Sequence, residues 1–184
     1  HLAGLSMGGM IAQCFYFAHP HRVASLVLAD TFPSFQAIGA DVVKGFISSR
    51  IEPLMSGATP ADLAPESAES LLAPDAPESA RTLLLESLSN LRRHSYVMTA
   101  LALAVQDAVG NLEDITVPTL VLSGALDRLT PVPIARAMSE RIPGAQLVII
   151  PGAGHISNLE SPERFNAALS RFLSNHSGVA TELN

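Results

Sequence analysis

Gly4-Leu5-Ser6-Met7-Gly8 sets a serine between two glycines, each two residues away. A serine hydroxyl is a poor nucleophile until a neighbouring base takes its proton. The glycines have a steric reading. In a turn this tight, the residues two before and two after the serine touch opposing backbone, and a missing Cβ avoids the clash. The serine itself is then held strained, with its hydroxyl pointing out above the strand ends. A helix starting at the motif would place its N-terminal dipole under developing negative charge, with the Met7 backbone N–H as one oxyanion donor.

The base is sought among six histidines. His155 lies in Gly152-Ala153-Gly154-His155, directly after an apolar β-rich run, and so at the edge where strands end. His19 and His21 flank Pro20, His176 is in the tail and His1 at the terminus, all in surface contexts; His94 lies in a helical region. An imidazole acting as base needs an acid to fix its tautomer and stabilise its charged form. Asp127, in Ser123-Gly124-Ala125-Leu126-Asp127, follows another strand-like run and is the expected acid. Asp30, at the end of an earlier run, is the alternative; its other reading is a hydrogen bond to the turn at Thr31. A neutral His155 would be required, so activity should fall in acid.

These side chains need elements to hold them. His1–Leu5 reads as the end of a strand and Gly8–Ala18 as a helix whose Met10, Ile11, Cys14, Phe15 and Phe17 are apolar nearly all round, as in a buried helix. Pro20 stops it. Val23–Ala29 reads as a strand covered on both faces. From Phe32 to about Gly110 no strand pattern appears. Thr59-Pro60-Ala61-Asp62 and Asp75-Ala76-Pro77-Glu78 are helix starts, and Thr82–Leu91 and Ser95–Val109 are further helices. Alternation then resumes: strand Pro118–Ser123, helix Pro133–Ile142, strand Gln146–Ile150, and a helix from Ser161-Pro162 to about Leu173. Residues 174–184 are a polar tail. This order is that of a parallel α/β sheet with a helical insertion.

Composition narrows the partners. The 184 residues are 48% apolar and 15% charged, with a net charge of −6 and no basic run. Nucleic acid and anionic membranes are not expected partners, and no apolar stretch approaches the ~18 residues of a membrane span. One cysteine, Cys14, allows no internal disulfide and fits a reducing, cytoplasmic setting. No metal or organic cofactor is implied: there is no Cys/His cluster, and Asp30, Asp41 and Asp127 lack metal-loop spacing.

Taken together, Gly4-Leu5-Ser6-Met7-Gly8-Gly9-Met10, the Pro118-Thr119-Leu120-Val121 strand, Gly124…Asp127 and Gly154-His155 resemble the α/β-hydrolase family. The run His155-Ile156-Ser157-Asn158-Leu159-Glu160-Ser161-Pro162-Glu163 is especially similar to its 3-oxoadipate enol-lactonase branch, with related esterases and cofactor-free haloperoxidases alongside. The resemblance covers residues 1–31 and 112–173 as core, with 32–111 as a helical cap. It implies the C-terminal half of an α/β-hydrolase fold, starting at the nucleophile elbow. The implied activity is a serine hydrolase of small esters or lactones with Ser6, His155 and Asp127 as triad. The alternatives are a haloperoxidase or perhydrolase reaction on the same triad, or a small-molecule receptor without turnover. An anionic lactone-type substrate would need a cation, for which Arg92 and Arg93 are candidates, and the apolar Met98 is a candidate substrate contact. The family's fold has earlier strands, so roughly a hundred residues are expected upstream. They would carry the second oxyanion N–H and the strand pairing with the elbow strand.

Overall fold

A computed structural model of the chain describes residues 1–34, 39–104 and 110–176. Residues 105–109 of the expected helix Ser95–Val109, and the tail beyond residue 176, lie outside the described residues. Four strands, β1 (Leu2–Leu5), β2 (Leu26–Ala29), β3 (Thr119–Gly124) and β4 (Gln146–Ile150), form one all-parallel sheet in the order β1-β2-β3-β4. The two central strands are buried along their whole length, which is why they read as unbroken apolar runs rather than alternating ones.

Side chains still alternate between the two faces. Leu26, Leu28 and Val121 point to one face. There they meet Ala12 and Tyr16 of helix α1 (Met7–Ala18) and Met138 of α7 (Val132–Arg141). Val27, Ala29, Leu120 and Leu122 point to the other, against Phe172 of the last helix, α9 (Pro162–His176). Between β2 and β3 run α2 (Ala40–Phe46), a π-helical turn (Ile47–Ile51), α3 (Glu52–Met55), α4 (Pro60–Leu71), α5 (Glu78–Ser89) and α6 (Arg93–Ala104). A short helix, α8 (Ser157–Glu160), precedes α9.

The local signals explain several boundaries. Thr59 caps α4 by accepting from the Asp62 N–H, while Asp62 accepts back from Thr59 N–H and Oγ1. Asp75, expected to cap the next helix, does not: α5 starts at Glu78 with Pro77 before it. The β2 strand is shorter than expected because Pro20–Arg22 coils into a 3₁₀ turn and pairing begins at Leu26. Helix α1 is not buried all round. Ile11 is 51% exposed and Met7 40%; side-chain burial is confined to Ala12 and Tyr16 against the sheet and to Met10 and Gln13, which meet Phe32.

All four strands deliver their C-terminal ends to the same edge. The ladders continue one step beyond the strands: Ser6 N–H donates to Ala29 O at 2.9 Å, Asp30 N–H to Leu122 O at 2.9 Å, and Ala125 N–H to Ile150 O at 2.9 Å. The residues just past each strand are thereby set side by side. At the opposite side of the sheet, β1 has β2 as its one pairing strand among the described residues. A cleft of about 210 Å³, lined by Ala3, Leu5, Val27, Phe165 and Leu169, opens beside it. No described helix is long and apolar enough to cross a membrane.

Candidate active site

Ser6 sits at the turn from β1 into α1 with φ 51° and ψ −119°, a backbone conformation L-residues rarely adopt. Its carbonyl accepts from Gly9 N–H at 2.9 Å and from the Thr31 hydroxyl at 2.7 Å. These bonds hold the strained turn from below. The glycines divide the steric work differently from expectation. A Cβ on Gly4 would stand 2.1 Å from the Gly8 carbonyl oxygen, so Gly4 is required, but a Cβ on Gly8 meets nothing within 4 Å. The second required glycine is Gly9, whose Cβ would lie 2.6 Å from the Thr31 side chain. Met7 is the first residue of α1, so its N–H has no carbonyl one turn earlier within the helix and stands at the positive end of the dipole.

Ser6 Oγ lies 2.8 Å from His155 Nε2, and His155 Nδ1 lies 2.8 Å from Asp127 Oδ2. The carboxylate can only accept, so Nδ1 carries the proton and donates it; Nε2 is then the acceptor for the Ser6 hydroxyl. His155 is 2% exposed, and its backbone N–H donates to Leu71 O at 2.8 Å, at the end of α4. Asp127 Oδ1 accepts from the N–H groups of Leu129 and Thr130 at 2.8 and 2.9 Å, and Oδ2 from the Thr130 hydroxyl at 2.6 Å. Burial works against the charge of Asp127. The hydrogen bond and charge of His155, with the two bonds from Thr130, outweigh it and hold the carboxyl below the ordinary carboxylate range.

Asp30 is placed elsewhere. Among the described residues its carboxylate hydrogen-bonds neither His155 nor the Thr31 turn: Oδ1 accepts from Gly124 N–H at 2.8 Å, and Oδ2 from the Ser157 hydroxyl at 2.5 Å and its N–H at 3.3 Å. Asp30 thus ties the ends of β2 and β3 to the segment just after His155. Burial is the largest influence on it and pushes its pKa up to about 6, against the pull of Ser157, Gly124 and His155. The native state therefore binds a proton that the unfolded chain, at the ordinary 3.8, has already released. This contribution to stability is fully present below about pH 4 and is lost as pH rises through about 6. Between about pH 5 and about pH 7.5, the wild type should lose about 1–2 kcal/mol relative to Asp30→Asn. Denaturant unfolding of both proteins at the two pH values measures this, and an unchanged difference would contradict it.

Sequence reasoning gave no role to the side chains of Thr31, Thr130 and Glu160. Buried Glu160 accepts from Ala73 N–H at 2.7 Å and from Ile156 N–H at 3.1 Å, pinning the segment after α4 to the His155 loop. Its only sequence signal is a glutamate inside the lactonase-like run.

Residues 1–168 match the profile of the alpha/beta hydrolase family. The chain belongs to this family. It is 30% identical over 184 residues to the dihydrolipoyllysine-residue acetyltransferase component of the acetoin cleaving system of Pseudomonas putida, covering 96% of this chain and 46% of that protein. To 3-oxoadipate enol-lactonase 1 of Acinetobacter baylyi it is 33% identical over 89 residues, covering 48% of this chain and 33% of that one. A thermophilic esterase from Thermogutta terrifontis superimposes with a TM-score of 0.83 at 28% identity, covering 95% of this chain and 64% of the esterase. The chain thus spans less than two thirds of the length of each of these relatives.

In this alpha/beta hydrolase chain, Ser6 and His155 open onto a cleft of about 210 Å³, whose walls include Met10, Phe32, Leu84, Leu88 and Tyr96. The expected substrate contacts do not line it. Met98 is 54% exposed, and Arg92 and Arg93 are exposed at the start of α6. The face of α6 toward the cleft is set by Tyr96 and Ala100, four residues apart, and Met98 falls about half a turn away. The cation on the cleft wall is Arg50, of the π-helical turn. No group of three or more His, Cys, Asp or Glu placed to hold a metal ion occurs among the described residues.

Proposed function

We propose that this chain carries the catalytic centre of a serine hydrolase that cleaves a small carboxylic ester or lactone through an acyl-enzyme. The observation that carries the reading is the continuous relay from Ser6 Oγ through His155 to Asp127, at 2.8 Å in each step. Ser6 Oγ attacks the carbonyl carbon as its proton passes to His155 Nε2. Asp127 holds the ring in the tautomer that can accept this proton and offsets the charge that forms. The carbonyl oxygen, now an anion, turns toward the Met7 N–H at the helix start. Collapse expels the alcohol, or the ring oxygen of a lactone, which takes the proton from His155. Water then attacks the acyl-enzyme by the same route in reverse, releasing the acid and free Ser6. The apolar walls of the cleft suit a small hydrophobic acyl or ring group. Steady-state turnover of a chromogenic ester tests the proposal, and binding without turnover would favour the receptor reading instead.

The outer edge of β1 belongs to this proposal. Further strands in the whole protein would cover this edge and its apolar cleft, and a loop among them would supply the second oxyanion donor. Left open, a β1 edge beside apolar surface is a template for other chains. Residues 1–184 expressed alone are therefore expected to be oligomeric or poorly soluble and without ester turnover. Loss of one oxyanion donor alone costs ~10²–10³ in rate. Size-exclusion chromatography with an ester assay decides this; a cooperatively melting monomer with normal turnover would contradict it.

A further inference from the structure

We propose that Arg50 anchors a carboxylate carried by the substrate distal to the reacting carbonyl, an inference that rests on Ser6 and His155 marking the reacting end of the cleft. Arg50 is the one Lys or Arg lining that cleft among the described residues, and its walls are otherwise mostly apolar. It also lines an adjoining cavity of about 350 Å³, which shares Val42, Phe46, Leu71 and Leu129 with the first. Arg50 therefore stands where an apolar chamber at Ser6 meets a more polar one. The second chamber brings Arg128, Ser49 and Ser70 together with one carboxylate, the exposed Glu66, so two cations face one acid.

A guanidinium has five N–H donors in a rigid fork and no acceptor. Arg50 spends one group on a neutral partner, the Ser70 hydroxyl at 2.6 Å, and none of the described ion pairs involves it. Arg128 also donates through one Nη, to the carbonyls of Glu69 and Leu72, but it does not line the cleft at Ser6. Arg50 is only partly buried and its bond to Ser70 is exposed, so its remaining N–H donors can turn toward a bound carboxylate without breaking an ion pair. The backbone gives a second, independent reason. Arg50 sits in a π-helical turn within an otherwise α-helical run from 40 to 55. Such turns are rare, disturb the regular hydrogen bonding and occur frequently at functional sites. Here the wider turn carries the one charged residue that lines both chambers among the described residues.

The test uses two chromogenic esters of equal chain length on the whole protein: the 4-nitrophenyl monoester of adipic acid and 4-nitrophenyl hexanoate. The readout is the ratio of their kcat/KM values. A charge-assisted bond to a carboxylate leads to a ~10–100-fold fall in this ratio for Arg50→Gln. Arg50→Lys, which keeps the charge but not the fork, should fall between the two, and Arg164→Gln on the exposed face of α9 should leave the ratio unchanged. An equal loss on both esters, or none, overturns the inference. Calorimetric titration of adipate into the wild type and Arg50→Gln separates it from the hydrolase reading. If neither ester is turned over, that reading fails, yet adipate binding weakened ~10-fold or more by Arg50→Gln still supports the anchor. Equal adipate binding by both proteins overturns it.

Discussion

Ser6→Ala is expected to lower ester turnover by the whole protein by at least ~10⁴-fold, as removal of a nucleophile from such a constellation does elsewhere. The change deletes one oxygen at a position whose φ of 51° is fixed by Ala29, Gly9 and Thr31, not by the hydroxyl. The fold, the cleft and the oxyanion donor should therefore persist, and the loss should appear in kcat with the melting temperature nearly unchanged. His155 keeps its Asp127 partner in the variant and could still activate water, which sets a small residual rate. Near-normal hydrolysis by Ser6→Ala would sink the proposed mechanism.

Asp127→Asn should cost about as much, ~10⁴-fold, because the wrong imidazole tautomer is then favoured. An asparagine amide in place of Oδ2 would donate to Nδ1, driving the ring proton to Nε2, where it would block acceptance of the Ser6 proton. The bonds from Leu129 and Thr130 N–H go to Oδ1 and can be kept by the asparagine carbonyl, while the Thr130 hydroxyl, which donates to Oδ2, can rotate to accept from the amide instead. Structure should thus survive while chemistry is lost. Asp30→Asn is the control. It removes a buried carboxyl of the same site that bonds Gly124 and Ser157 rather than His155, so its loss in kcat should be the smaller. If Asp30→Asn proves the more damaging, Asp30 is the acid.

Ser6, His155 and Asp127 were legible in the sequence because each follows a short apolar run that could be recognised as a strand. In a parallel sheet every strand ends at the same edge, so identifying strands places their following residues together without knowing a single contact. For β3, which precedes Asp127, and for β2 the reason is burial on both faces, which leaves an unbroken apolar signature. Strands β1 and β4, before Ser6 and His155, are partly buried edge strands whose short apolar runs still read as strands. The Thr59 cap was legible for an equally local reason, since its partner Asp62 lies three residues on.

What the tertiary structure decided is everything that depends on phase or on distant partners. Helix α6 carries apolar residues on several sides, Val97, Met98 and Leu101 among them, so its pattern alone does not say which side faces the cleft; packing selects Tyr96 and Ala100 and leaves Met98 in solvent. The steric need for Gly9 rather than Gly8 comes from Thr31, a residue of the neighbouring strand's exit. Asp30 bonds Ser157 across 127 positions, and Glu160 bonds Ala73 across 87. Motif and periodicity are properties of neighbours along the chain, so they carry the candidate reacting groups and their edge of the sheet. They do not carry the buried carboxyls that brace that edge, or the π-helical turn that puts Arg50 on the cleft wall, because those arise only once the elements have packed.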